Sequence, residues 1–299
     1  MFKPFNLEDD QDYLRWREWK LEKYPERLDD LVVEVNDPKM LTAAETKAML
    51  SLCQKTNLVI YASNNVQEDK AIPRCLGAHF GLNRLNHNWL ADDDAITSLA
   101  VNNQGEHPHY IPYTNRPINW HTDGYYNRKD EQIWGLLLHC VRPASRGGEN
   151  QLLDHEIAYI NLRDQNPDFI RALMQPDVMT IPARTGADGS IARQDETGPV
   201  FSINEITGDL HMRYTARTRN IIWKDDKLAC EAIGALESLL KADIPYKYIG
   251  RLEPGMGLVS NNVLHDRSSF DEVKGQERLL YRARYFDRIH KTSIRELFP

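Results

Sequence analysis

Within Pro117-Ile-Asn-Trp-His-Thr-Asp-Gly-Tyr-Tyr126, a histidine and an aspartate stand two positions apart, at His121 and Asp123. On a strand, successive side chains alternate faces, so Asn119, His121 and Asp123 point one way and Ile118, Trp120 and Thr122 the other. On a helix, residues two apart diverge by about 200°, and the pair is lost for joint coordination. The segment is therefore expected to be a strand that presents an imidazole beside a carboxylate. That is most of a facial set of two histidines and one carboxylate, the arrangement that leaves positions open on a mononuclear non-haem Fe(II).

A third ligand has to come from elsewhere, because no HExxH or CxxC spacing supplies one. Of the 10 histidines, His265 in Ser260-Asn-Asn-Val-Leu-His-Asp-Arg-Ser-Ser-Phe270 is the strongest candidate. It follows an apolar strand directly and is expected in a polar turn that can be aimed into a cavity; a surface-loop histidine is the competing reading. His155-Glu156 reads instead as the exposed start of a helix. Beyond His265, two-residue alternation puts Arg278, Leu280, Arg282 and Arg284 on one strand face and Leu279, Tyr281, Ala283 and Tyr285 on the other. The arginines either pair with surface carboxylates or, if the apolar face covers an outer layer of helices, look into a polar barrel interior. There an arginine fork can hold a carboxylate in two-pronged fashion.

The elements that must position these groups are legible in outline. Asp10 to Tyr24 and Leu41-Thr-Ala-Ala-Glu-Thr-Lys-Ala-Met-Leu50 read as helices, the second opened by a Thr42/Glu45 capping box. Leu58–Ala62 reads as a buried strand, Asp69–Phe80 as a helix and Ile96–Val101 as a strand. Ile133–Val141 is the strongest strand signal. Gly147-Gly148 turns the chain into Glu149–Leu153, Asp154 caps a helix through Leu162, and a short helix follows Pro167. Thr185–Gly198 is expected as a polar surface loop near the site. Lys224–Leu240 reads as a helix, and Met256–Asn261 and Arg278–Phe286 as strands. With no linker or repeat, residues 1–299 are expected to form a single α+β domain, a strand-rich core wrapped by helices, with residues 1–56 mainly helical and packed on that core.

Composition narrows the function classes. The 299 residues carry 37 basic and 44 acidic side chains, a net charge of −7, which disfavours nucleic acid and anionic membranes as partners. The absence of a long apolar run and a polar, acidic N-terminus lead to the expectation of a cytoplasmic protein. Cys53, Cys75, Cys140 and Cys230 lie far apart and read as reduced, mostly buried thiols. The acidic run Ala91-Asp-Asp-Asp-Ala95 reads as a helix start or solvated loop. A small-molecule substrate is the expected partner, and the sequence is compatible with a homo-oligomer.

Trp120-His-Thr-Asp123, the Pro143–Asn150 run with its double glycine, and Asn262-Val-Leu-His-Asp-Arg267 followed by Arg278 together resemble the taurine dioxygenase-like superfamily of Fe(II)/2-oxoglutarate oxygenases. The order HxD, distant His, then Arg is specific over Trp120 to Asp287, and a looser similarity reaches into the N-terminal part. The resemblance implies a double-stranded β-helix (jelly-roll) core flanked by helices. It also implies that His121, Asp123 and His265 bind iron, that Arg278 holds the distal carboxylate of 2-oxoglutarate, and that O2 is the other cosubstrate. In taurine-specific members a threonine assists that arginine; Asn150 stands here and can still donate a hydrogen bond. Arg282 matches an arginine that binds an anionic group of the primary substrate. The His-Asp-Arg267 turn is more similar to the butyrobetaine and trimethyllysine hydroxylase branch, so taurine specificity does not transfer. Asp123 argues for oxygenation over halogenation, because related halogenases lack the carboxylate.

The function expected is hydroxylation of a small, anionic or amino-acid-like metabolite with release of succinate and CO2. Trp120, Tyr125 and Tyr126 are candidate walls of the substrate site, with simple core packing as the alternative; Tyr125 and Tyr126 follow Asp123 directly. Two rivals use the same residues differently: a zinc hydrolase with an activated water, which would have no use for Arg278, and a non-catalytic binding protein on the same scaffold, which would be expected to have lost a ligand.

Overall fold

The long apolar runs of this chain are strands buried on both faces. The computed structural model describes residues 2–87, 94–102, 110–185, 189, 191–217 and 221–299. The strands that build the core are, in chain order, β1 (Val32–Glu34), β2 (Leu58–Ala62), β3 (Thr97–Leu99), β4 (Ile118–His121), β5 (Gly135–Arg142), β6 (Asn150–Leu153), β7 (Lys247–Gly250), β8 (Met256–Ser260), β9 (Leu264–Arg267) and β10 (Leu279–Tyr285). The main helices are α1 (Gln11–Leu21), α2 (Ala43–Thr56), α3 (Ala71–His79), α4 (His155–Gln165), α5 (Pro167–Leu173) and α6 (Lys227–Lys241).

A six-stranded sheet runs in the order β1-β2-β8-β5-β10-β3, and a four-stranded sheet in the order β7-β6-β9-β4. All of these pairs are antiparallel except β1 with β2. Period-two alternation divides the larger sheet's side chains into two cores. Leu58, Ile60, Leu136, Leu138, Leu258 and Leu280 join Leu152, Leu153 and Leu264 of the smaller sheet. Val59, Tyr61, Leu137, Val259, Tyr281 and Tyr285 pack outward with Met49 and Cys53 of α2 and Leu76 of α3. A strand covered on both sides has no polar face to show, which is why β5 reads as one apolar run. The two sheets and their helical cover form the jelly-roll core of an α+β fold.

Local chemistry sets the helix ends. Thr42 caps α2, its side chain accepting from Glu45 N at 3.2 Å while Glu45 accepts from Thr42 N at 2.6 Å. Asp154 caps α4, and Pro167 occupies the first turn of α5. The N-terminal part docks through Trp16, whose ring meets Phe5 at 4.9 Å and Tyr159 of α4 at 6.4 Å.

Four expectations change. His155 and Glu156 are not an exposed helix start: they are 2% and 4% exposed, because α1 brings Lys20 against Glu156 at 2.5 Å and Asp154 at 2.7 Å. Thr185–Gly198 is not plain loop, since Arg184–Thr185 pairs with Ile191–Arg193, and Glu196–Gly198 pairs with Met179–Ile181. His265 lies on a strand, not in a turn. The strand carrying His121 ends at that residue, and Asp123 begins the turn that follows. Of the acidic run, residues 91–93 lie outside the described residues; Asp94 lies 3.2 Å from Lys70. The cysteines are free, with Cys53 and Cys140 buried, Cys75 partly so and Cys230 exposed. Among the described residues, no helix is long and apolar enough to cross a membrane.

Candidate metal centre and cosubstrate cleft

β4 and β9 are antiparallel neighbours, and their register sets His265 directly opposite His121. The two imidazole centroids are 4.2 Å apart. Asp123 curls back toward them, so that one ligand atom from each of His121, Asp123 and His265 lies within 4.8 Å of the others. Each imidazole is oriented by the chain just upstream. His121 Nδ1 lies 2.9 Å from Asn119 O, and His265 Nδ1 lies 3.0 Å from Val263 O. A carbonyl can only accept, so both Nδ1 atoms carry the proton and both Nε2 lone pairs are free for a metal.

The Asp123 turn is held by a side chain to which sequence reasoning gave no role. Asn262 Oδ1 accepts from Asp123 N at 2.8 Å, while its Nδ2 donates to Asp123 O at 2.9 Å and to Ile133 O at 2.8 Å. Thr122 adds a second anchor, donating its N–H to Tyr214 O at 3.0 Å. Asp123 Oδ1 faces Arg282 Nη1 at 3.3 Å, and its buried Oδ2 has no hydrogen-bond partner among the described residues. Burial opposes ionisation of Asp123, but Arg282 and Arg284 outweigh it and hold the carboxyl well below the usual carboxylate range. Burial, with His265 nearby, pushes the His121 imidazole down to about 3. An unpartnered buried carboxylate oxygen facing free imidazole nitrogens fits a divalent cation, and the two-nitrogen, one-oxygen facial set suits Fe(II).

A cleft with ≈ 430 Å³ of empty space begins at His265, walled by Ile60, Leu138, Leu152 and Leu258. A smaller one of ≈ 200 Å³ ends at Arg278. Asn150, Arg251 and Leu252 line both, so the two adjoin. Arg278 is 5% exposed, its guanidinium 5.0 Å over the Phe270 ring, and burial lowers its pKa to about 10. Among the described residues no carboxylate lies within ion-pair distance of it. The double glycine shapes this end of the cleft. Gly147 has φ 76° and a Cβ on it would stand 2.2 Å from Ser269 O; at Gly148 the φ of 77°, not crowding, favours glycine, since a Cβ there would meet Arg278 Nε at an ordinary 3.9 Å. Asn150 sits where the clefts meet, its Nδ2 already donating to Asp266 O at 2.6 Å.

The other candidates fall around the same turn. Tyr125 stands edge-on to His121, with centroids 6.5 Å apart, and against Tyr126 at 5.1 Å. Arg284 donates to Tyr126 Oη at 2.9 Å and to Asn86 Oδ1 at 2.6 Å. Arg282 lies against Asp123, so in this structure its nearest anion is the protein's own. Trp120 belongs to the apolar core, on the strand face opposite His121. Arg267, buried beside Phe270, ties β9 to the chain before β4 through Thr114 O at 2.7 Å and Arg116 O at 2.6 Å.

The profile of the taurine catabolism dioxygenase TauD, TfdA family matches residues 66–284. The chain belongs to that family. Among curated relatives, a uridine-5'-phosphate dioxygenase from Amycolatopsis sp is 36% identical over 177 residues, covering 56% of this chain and 60% of the relative. A uridine-5'-phosphate dioxygenase from Streptomyces sp is 33% identical over 114 residues, covering 37% of this chain and 38% of the relative. The match thus spans less than two thirds of either curated relative. Among solved structures, asparagine oxygenase with Fe(II), 2S,3S-3-hydroxyasparagine and succinate superposes at TM-score 0.57 and 13% identity, covering 91% of this chain and 89% of that one. The non-haem iron oxygenase OrfP with Fe, succinate and (3R,4R)-dihydroxy-L-Arg gives 0.61 and 14%, covering 82% and 81%. AAD-2 with Mn(II) and N-oxalylglycine gives 0.59 and 12%, covering 87% and 97%. At these identities the superpositions show a shared fold.

Proposed function

We propose that the protein is a non-haem Fe(II)- and 2-oxoglutarate-dependent dioxygenase that hydroxylates a small, anionic or amino-acid-like metabolite, working as one oxygenase unit across residues 1–299. The observation that carries this reading is Arg278, a buried guanidinium with no carboxylate partner among the described residues, at the far end of a cleft that begins at His265. An arginine fork there is matched to a carboxylate, and a zinc hydrolase would have no use for it.

His121, Asp123 and His265 would hold the iron on one face, leaving the opposite face for 2-oxoglutarate and O2. The bound iron and cosubstrates supply the oxidising power, with 2-oxoglutarate leaving as succinate and CO2 while a substrate C–H bond gains a hydroxyl. The protein's own part is placement. Arg278 fixes the distal carboxylate of the keto acid, the apolar walls Leu138, Leu152 and Leu258 exclude water from its chain, and Asn150 marks the bend between the clefts. Tyr125 and Tyr126 border the substrate side. Uridine 5'-phosphate, the compound in the name of the 36% identical relative, and amino acids of the kind bound by the structural neighbours are the two substrate classes to screen.

The test is spectroscopic. Anaerobic wild-type protein given Fe(II) and 2-oxoglutarate should develop a weak visible charge-transfer band that His121→Ala lacks, and O2 should then release succinate. Arg278→Ala should need about tenfold or more 2-oxoglutarate for the same band. A wild-type protein with neither band nor succinate would sink the reading.

A further inference from the structure

In an acidic chain, arginines converge on the turn after Asp123. Arg282 faces Asp123 at 3.3 Å. Arg284 donates to the Tyr126 phenol and the Asn86 amide oxygen. Arg217, an exposed residue, donates to Tyr125 Oη at 2.9 Å. Arg193, half-buried, has its guanidinium carbon 5.7 Å from the Tyr126 ring centroid and donates to Pro182 O at 2.6 Å and Gln194 O at 2.9 Å. Among the described residues, Asp123 is the sole carboxylate within ion-pair distance of these arginines. Phenols, amides and carbonyls satisfy donors without cancelling charge, so among the described residues only Asp123, and Glu196 acting on Arg193 from beyond ion-pair distance, offset the positive charge. Because Tyr125 is the ring set edge-on to His121, that charge lies one side chain from the metal ligands.

We propose that the substrate's anionic group is a phosphomonoester, received by Arg193 and Arg217 beside the Tyr125–Tyr126 pair. This deepens the dioxygenase reading and rests on it. The charge sets the class. A carboxylate carries one negative charge and is matched by a single arginine fork, whereas a phosphomonoester near neutral pH approaches two charges and offers three acceptor oxygens for several forks. An amino acid would bring an ammonium that needs an anion of its own, and at this turn Asp123, already placed among the candidate metal ligands, is the one described. All four donate to groups of the protein; Arg284 is buried and Arg282 is turned to Asp123, so they supply field, whereas half-buried Arg193 and exposed Arg217 can supply contacts through the N–H groups not spent on Pro182 O, Gln194 O and Tyr125 Oη. The field is visible in Tyr126: burial works against ionisation of its phenol, yet Arg284 and Arg282 bring its pKa below the ordinary value.

The experiment separates binding from turnover. Anaerobic Fe(II) protein is titrated calorimetrically with uridine 5'-phosphate, uridine and inorganic phosphate, and succinate release is followed with the first two and with asparagine and arginine. Uridine 5'-phosphate and inorganic phosphate should bind and compete with each other, while uridine should bind at least about tenfold more weakly than its phosphate. Arg193→Ala and Arg217→Ala should each weaken phosphate binding about tenfold, with the 2-oxoglutarate band retained as the check on an intact site. No binding of either phosphate compound, equal affinity for uridine and its phosphate, unchanged affinity in both variants, or succinate release driven by an amino acid would each overturn the assignment. Failure of the dioxygenase reading is a separate result, the missing band with 2-oxoglutarate alone.

Discussion

Asn262 adopts φ 51° between β8 and β9, a left-handed conformation that asparagine tolerates better than most residues. Its amide holds both backbone groups of Asp123, although it has no reactive atom of its own. Replacing it with alanine leaves the buried N–H and carbonyl of Asp123 without the amide that pairs them, removes one of two partners from Ile133 O, which keeps His211 Nε2 at 3.2 Å, and frees the Asp123 turn to drift. For Asn262→Ala we expect metal affinity to fall about 10–100-fold, as is usual when a ligand's supporting hydrogen bonds are lost, read by anaerobic Co(II) titration of the visible bands. A lower melting temperature with unchanged Co(II) affinity would make Asn262 a folding residue only. The role was not legible beforehand: the sequence shows an asparagine three positions before His265, but not that it reaches across to a turn 139 residues away.

Element by element, what the sequence disclosed is what short-range chemistry determines. The Thr42/Glu45 capping box, the Asp154 cap, Pro167 and the two-residue alternation of β10 act within a few positions, and each can be read from its neighbours. The alternation alone separated the face carrying Arg282 and Arg284 from the face carrying Tyr281 and Tyr285. The start of α4 was misread because its environment comes from α1. Lys20, fully buried, bridges Asp154 and Glu156, the latter 136 residues away in the chain, and polar residues at a helix start look solvated until that partner arrives. The same burial makes the bridge easy to break at large cost. Lys20→Met should destabilise the protein by about 3–5 kcal/mol in urea unfolding, because buried Asp154 loses its cation and buried Glu156 is left with Arg288 at 4.0 Å. Lys20→Met combined with Asp154→Asn and Glu156→Leu should recover part of the loss; a triple variant no more stable than the single would argue against charge as the cause.

For the molecule as a whole, burial of neutral histidines ties stability to pH. His139, hydrogen-bonded to Tyr61 Oη at 2.8 Å, is lowered to about 4 by burial, and His211 is lowered to about 3, again chiefly by burial. In the unfolded chain each takes up a proton near pH 6.5, about the ordinary value. Below that pH the unfolded state binds more protons than the native one. Stability is therefore complete above pH ~6.5 and is lost toward pH ~4 at up to ~1.4 kcal/mol per pH unit for each histidine. Melting of metal-free protein between pH 7.5 and 4.5 should show this decline, and a flat profile would mean that the two imidazoles are protonated in the native state. The pairing of His121 with His265 across β4 and β9 has a consequence in time as well as in space. Asp123 and the Asn262 that clamps it are 139 residues apart, and closing so long a loop is slow compared with forming a helix or hairpin. The three ligand atoms meet only after β9 has docked beside β4, so a metal finds no site on the nascent chain before that stage. The ion is then a guest of the paired strands: it can delay unfolding by holding β4 and β9 together, but it cannot guide the chain toward that pairing.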